Sequence, residues 1–214
     1  MFALSANNDR RPGCSLVPRR NPLFPRRVHG MKSLQGQLLV ATPRLPDENF
    51  FHTVVLMVEH NQDGALGVVL NRIADQSVGQ LWAEVSNAPC TSEQKINLGG
   101  PVSGPLLAVH TNSQLSEIEI VAGVYLAARK EHLDELVQQN AHRYRVFLGH
   151  SGWGSGQLEN ELEQGAWLVT PATKEYIFHA GEEDLWEKAT KYIGDSILLE
   201  SLHIKRMPED PSVN

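Results

Sequence analysis

Four glycines within eight residues, Gly149, Gly152, Gly154 and Gly156, enclose the residues of this chain best suited to chemistry. Gly149-His150-Ser151-Gly152-Trp153 comes close to the Gly-x-Ser-x-Gly turn that presents a serine nucleophile between a strand and a helix. Its second glycine is one place early, and Trp153 would crowd so sharp a turn. Asp184 or Asp195 with His179 or His203 would complete a triad, a weak constraint in a chain of nine histidines. Phosphate chemistry fails on single residues. Gly149 and Gly154 have P-loop spacing, but Ser155 stands where the charge-bearing Lys belongs. A dinucleotide fingerprint through Gly152 and Gly154 needs Gly or Ala at Gln157. No two histidines sit three or four residues apart, and Cys14 and Cys90 form no Cys-x-x-Cys pair, so no metal and no cofactor are expected. His52 and His60, on one face of a predicted strand but eight residues apart, are expected as edge or surface residues.

These residues are positioned by one strand–loop–helix–strand unit. Val146-Phe147-Leu148 is an apolar β-type run that enters a glycine-rich loop. Gln157 to Gln164 is free of helix breakers until Gly165, a natural residue just past a helix end. Ala166 to Thr170 reads as a buried strand stopped by Pro171. The loop is either a close-packed backbone under Trp153 and Trp167 or a ligand or partner site. Its charge narrows the second option. A helix N-terminus with Gly156 as N-cap would attract anions, but Glu159, Glu161 and Glu163 follow, with no Lys or Arg between Val146 and Ala172. Phosphate and nucleotides are therefore disfavoured, and a neutral or cationic group is the better fit. Asn71-Arg72 and Gly99-Gly100-Pro101-Val102 are the other groove candidates, set against the plainer reading of a polar strand cap and a tight turn.

Elsewhere the pattern predicts strands over Gln37–Ala41 and Phe50–Glu59. The Asn61-Gln62-Asp63-Gly64 turn then leads to a hairpin return over 66–71. Ser77 and Gln80 have capping-box spacing before a short helix through Val85, with Leu81, Trp82 and Val85 on one face. Ile96–Leu98 and Pro105–His110 read as strands, and 118–121 with 124–127 as a second hairpin. Arg129–Gln139 reads as a helix. Glu182–Tyr192 is a further helix, with Gly194 just after its end. Residues past Met207 read as a frayed tail.

The formal charge of −6 divides unevenly. Residues 1–30 hold six Arg and one acid, a net +5, leaving thirteen basic and twenty-four acidic side chains after them, a net −11. Four prolines among the paired arginines preclude a continuous helix, so 1–30 is expected to be a disordered basic extension, with Met31 opening a folded domain over 31–214. There is no apolar run of about 18 residues that could span a membrane. The sparse cysteines fit a cytoplasmic setting. DNA binding needs clustered Lys and Arg to release counterions. The acidic core lacks them, so direct contact with DNA is not expected of it.

Five patches resemble the AlgH/YqgE family of bacterial proteins in order and spacing. They are Gly36 to Pro43, Phe50 to Glu59, Gly67 to Arg72, Gly99 to Val102, and Leu148 to Glu159 with Gly165-Ala166-Trp167. The most specific is Gly-Trp-Gly-x-Gly-Gln-Leu-Glu, here residues 152–159. The resemblance covers about residues 34–194. Ile73 replaces a common Pro, and His150-Ser151 replaces a more typical Tyr-Ala, which weakens Ser151 as a family-wide nucleophile. The resemblance implies one α+β domain, a mixed, barrel-like sheet surrounded by helices, with no established enzymatic activity. Some members carry the label of transcriptional regulator. Together these readings point to a binding or regulatory module with an unidentified protein or small-molecule partner. The rival class is a hydrolase using Ser151. The site candidates are Gly149, Ser151, Gly152, Trp153, Gly154, Gly156, Gln157 and Glu159, with Gly99, Gly100, Asn71 and Arg72.

Overall fold

Hydrophobic residues on both faces of the central strands demand cover on both sides, and the chain supplies it with a second sheet on one side and helices on the other. A computed structural model describes residues 33–43, 45, 47–86, 89–139, 141–178 and 184–202, with side chains as far as 199. The basic extension over 1–30, His179, His203 and the tail past Met207 lie outside the described residues.

In chain order the elements are β1 (Gln37–Ala41), β2 (Val54–Asn61), β3 (Gly64–Val69), β4 (Ile73–Ser77), α1 (Val78–Val85), β5 (Lys95–Leu98), β6 (Leu107–His110), β7 (Ile118–Val121), β8 (Val124–Ala127), α2 (Lys130–Gln138), β9 (Tyr144–Leu148), β10 (Ser151–Gly154), α3 (Gln157–Glu163), β11 (Trp167–Pro171), α4 (Lys174–Ile177) and α5 (Leu185–Leu202). One antiparallel sheet has the order β10-β3-β2-β1-β11 and the other β4-β5-β9-β6-β8-β7. Among the described strands only β5 and β9 run parallel, with Asn97 opposite Phe147 and Leu98 opposite Leu148. The architecture is α+β, as the resemblance implies, but the strands form two open sheets and not a closed barrel.

Period-two alternation sorts the core. Leu38, Val40, Val54, Leu56 and Val58 turn inward to meet Leu107, Val109, Leu126 and Phe147 of the other sheet, and α4 and α5 close this space with Ile177, Leu185, Ala189 and Ile193. Each such side chain contributes about 1.5–3 kcal/mol on full burial. The intervening residues Leu39, Ala41, Val55 and Met57 face outward and are covered by Leu158 of α3 together with Trp153 and Trp167. Val146 and Ala108 face outward from the second sheet, under Trp82 of α1 and Leu133, Leu136 and Val137 of α2. Among the described residues one guanidinium lies inside: Arg145 is 3% exposed. It donates to the carbonyls of Leu70 and Ile177 and to Asn97 Oδ1, with its guanidinium 5.5 Å over the Phe147 ring.

Several expectations are corrected. The predicted strand over Phe50–Glu59 begins only at Val54, because residues 50–53 form a turn in which Thr53 donates to the Phe50 carbonyl through both its amide and its hydroxyl. Glycine content hid β10, which pairs with β3 from Ser151–Gly67 to Gly154–Gly64. β4, a polar strand exposed on alternate residues, went unread. The capping box at Ser77 and Gln80 forms as expected, but Val85 is 49% exposed, at the rim of a notch of about 210 Å³ beside Trp82 and Leu106. α5 runs straight through Gly194 to Leu202. A mid-helix glycine costs roughly 1 kcal/mol, a cost outweighed by Leu185, Ala189 and Ile193 anchoring one face at four-residue spacing.

Candidate functional site

The first half of the glycine-rich stretch is a seam between the two sheets. β9 ends at Leu148, and β10 of the other sheet starts three residues later, so the chain crosses over at Gly149 and His150. Here it meets the end of β5. The Gly99 amide donates to Leu148 O (2.8 Å), the Val69 amide donates to Gly99 O (2.9 Å), and Val102 and His150 exchange two backbone bonds of 3.0 Å each. A Cβ on Gly99 would lie 2.3 Å from Gly149 O, and one on Gly100, whose φ is +149°, would lie 2.4 Å from the His150 carbonyl. Gly149 holds φ +70°. Backbone against backbone leaves no room for a ligand between Gly99-Gly100 and Gly149-His150.

Ser151 is fully buried in this seam, and its hydroxyl donates to Gly99 O at 3.1 Å. A serine turned onto a backbone carbonyl with no bonded base lacks the geometry of an activated nucleophile. His150 is 8% exposed. Its Nδ1 is buried without a hydrogen bond, and burial lowers its pKa. Among the described residues no three His, Cys, Asp or Glu converge as metal ligands.

Asn71 and Arg72 act as braces. Asn71 Oδ1 accepts from the Val54 amide (2.9 Å) and Nδ2 donates to His52 O (2.8 Å). Arg72 donates to Glu48 O (3.2 Å). Between them they fix the 47–53 loop, where His52 takes φ +53° and stacks between Phe51 and Trp186, 3.8 Å from each ring. His52 therefore lies outside any strand. His60 is not a surface residue either: it is 4% exposed in β2. Its Nδ1 accepts from the Leu34 amide (3.1 Å), which leaves Nε2 to donate to Glu159 Oε1 at 2.7 Å.

The fixed loop delivers Phe50 to the outer face of the five-stranded sheet, where the second half of the stretch lies. Gly156 is the N-cap of α3, in the left-handed region, and Glu159 falls in the first turn. Gln157 Oε1 accepts from the Gly154 amide (3.1 Å). Gly152 and Gly154 are exposed, and neither has positive φ, so within the cluster the conformational constraint falls on Gly149 in the seam and on Gly156 at the helix cap. One helical turn on, Glu161 Oε2 accepts from both Trp153 Nε1 (2.9 Å) and Trp167 Nε1 (2.8 Å), while Oε1 accepts from Gln157 Nε2 (2.9 Å). Phe50 stacks on Trp153 at 5.9 Å and meets Trp167 edge-on at 5.3 Å.

Phe50 and Trp167 of this group line an open cleft of about 680 Å³. Thr42, Leu45, Asp47, Glu48 and Phe50 line one side, and Glu161, Gln164, Gly165, Ala166 and Trp167 the other. Three carboxylates face it, and no Lys or Arg is among its described lining residues. α3 also ends here, and the partial negative charge of a helix C-terminus adds to the same sign. Of the sequence candidates, Gly99, Gly100, Gly149 and Ser151 thus meet in a closed seam, Asn71 and Arg72 brace the cleft loop, and Trp153, Gln157 and Glu159 frame α3. Sequence reasoning missed Phe50, Asp47, Glu48 and Glu161 as lining of this candidate cleft. Its one available signal was a pair of tryptophans flanking an acidic helix.

Comparison with known proteins accords with this fold. The family model described as AlgH-like matches residues 38–198. A UPF0301 protein of Chlorobium limicola is 35% identical over 185 residues, covering 84% of this chain and 95% of that one. One from Myxococcus xanthus is 35% identical over 168 residues, covering 77% and 93%. The solution structure of the AlgH protein from Pseudomonas aeruginosa superposes with a TM-score of 0.67 at 25% identity, covering 86% of this chain and all of that one. A crystal structure from Corynebacterium diphtheriae gives 0.63 at 26% identity, with 76% and 88% covered. The extent of these matches places this chain in the AlgH-like family.

Proposed function

We propose that this protein is a binding module with no reaction of its own, and that its partner presents a positively charged group to the cleft at Phe50, Trp167 and Glu161. The observation that carries this reading is the Glu161 carboxylate, held by two indole N–H groups at the foot of an aromatic, acidic cleft. A carboxylate fixed in advance loses little entropy when a cation arrives. Opposite unit charges about 4 Å apart attract by roughly 4 kcal/mol at a protein surface, and a ring face adds about 0.5–1 kcal/mol. The same charge repels phosphate. The regulator label borne by some family members need not mean contact with DNA, since residues 31–214 carry a net −11. No helix among the described residues is long and apolar enough to cross a membrane.

The test is a titration followed by indole fluorescence and by the amides of Glu161, Gly165 and Trp167. Argininamide should give saturable changes, weakened in the Asp47→Asn, Glu48→Gln double variant, and phosphate or ATP should give none. Saturable ATP binding, or no response to any cation at millimolar concentration, would refute the reading. In the rival hydrolase reading Ser151 is the nucleophile. An esterase and phosphatase screen should detect no turnover that Ser151→Ala abolishes.

A further inference from the structure

β11 is the edge of its sheet, pairing with β1 and with no other described strand. Two bonds fix which of its backbone groups face outward. Thr42 N donates to Ala166 O and Ala172 N to Gly36 O. The even-numbered residues 166, 168, 170 and 172 therefore face β1, and the alternation of an antiparallel ladder turns the backbone of Trp167 and Val169 the other way. Those outward N–H and C=O groups meet no hydrogen-bond partner among the described residues. Trp167 and Val169 also project their side chains onto the cleft face, and Val169 is 39% exposed. Pro171, with no N–H, ends the usable edge after two residues.

We infer that the β11 edge and the cleft together hold a short, extended, basic segment of a partner protein, which pairs with the backbone of Trp167 and Val169 while a cationic side chain enters the cleft. This rests on the cleft being the working site and specifies its partner. Directly opposed residues of paired strands share a face, so the segment's residue opposite Trp167 points its side chain to the cleft side, towards Asp47, Glu48 and Glu161. The residue two places along lies over Val169 and is apolar. In an antiparallel segment, read from its N-terminus, the recognised pattern is apolar-x-basic. Main-chain bonds supply affinity and the cleft supplies selectivity, as in other strand-addition modes.

The probe is a blocked six-residue peptide, Ser-Val-Thr-Arg-Thr-Ser, with valine and arginine two places apart, added to the full chain and compared with argininamide. The expected result is at least tenfold tighter binding of the peptide, with slowed hydrogen exchange at the Trp167 and Val169 amides. N-methylation of alternate peptide nitrogens should abolish both effects. Val169→Pro removes an outward N–H while sparing the bonds to β1, and should weaken the peptide tenfold without affecting argininamide. If that variant fails to fold, the N-methylated peptide makes the same test. Equal binding of peptide and argininamide with unchanged exchange would overturn the edge while leaving the cleft. Failure of both to bind would overturn the cleft as well.

Discussion

Replacing Gly99 with alanine should cost far more than the size of a methyl group suggests. The new Cβ would lie 2.3 Å from Gly149 O, 3.2 Å from Gly149 C and 3.3 Å from Phe147 Cβ. Ordinary contact begins at 3.4 Å, so the two chains must part by about 1 Å, and both are paired backbone. Parting stretches three hydrogen bonds at once: Gly99 N to Leu148 O, Val69 N to Gly99 O, and the Ser151 hydroxyl to Gly99 O. Each contributes about 0.5–1.5 kcal/mol, and overpacking adds roughly 1–3 kcal/mol. The expected loss is about 3–5 kcal/mol, a large part of a typical stability of about 5–15 kcal/mol. Gly154→Ala is the control, since its Cβ would meet only Gln157 Oε1 at 3.9 Å. With fewer unfolded conformations to lose, that variant should be neutral or up to about 1 kcal/mol more stable. Urea melts followed by tryptophan fluorescence measure both. A Gly99→Ala loss below about 1 kcal/mol, or a larger loss for Gly154→Ala, would refute this account of the seam.

Ser151→Ala removes a buried donor from a carbonyl that keeps its bond to Val69, and should cost about 1 kcal/mol in the same melts. Glu161→Leu leaves two indole N–H groups unpaired on tryptophans only 5% and 4% exposed; at about 1–3 kcal/mol each, the loss should be about 2–5 kcal/mol, with a shift in indole emission. His110 is fully buried, and its pKa is held down to about 4 from 6.5, mainly by burial and then by His132. A depressed histidine favours the uncharged folded state, so its contribution is intact above pH 6.5 and is lost as pH falls towards 4. At pH 5 the loss from this residue is about 2 kcal/mol by linkage, and His110→Gln should flatten the stability profile between pH 7 and pH 5.

Much of the fold was legible because burial writes a period into sequence. The strand of Gln37–Ala41, the hairpin through Asp63-Gly64, the capping box at Ser77 and the helix ending before Gly165 all follow local rules. The failures were tertiary. Glycines in Ser151–Gly154 argue for a loop until β3 is seen beside them, and aromatic Phe50 and Phe51 argue for a strand until Asn71 is seen holding their loop. At the site, the glycine cluster left close packing and a ligand site open as alternatives, and the tight backbone approach falls on Gly99, Gly100 and Gly149, of which only Gly149 belongs to the cluster. In the sequence Glu161 is one of three acids that disfavour anions at the loop. Only the folded chain brings Trp153 and Trp167 onto one of its oxygens, from eight residues before it and six after.

The seam also bears on how the molecule comes apart. Gly99, Val69 and Ser151 come from distant parts of the chain, and their bonds tie one sheet to the other where β9 passes into β10. Neither sheet can lose its corner without unpairing the other, and both share one core. The two sheets should therefore open as a single cooperative unit, and native-state hydrogen exchange should report a common opening free energy for the central amides of β2 and β9. Their assembly must wait on contacts far apart in sequence, which is the condition for slow folding.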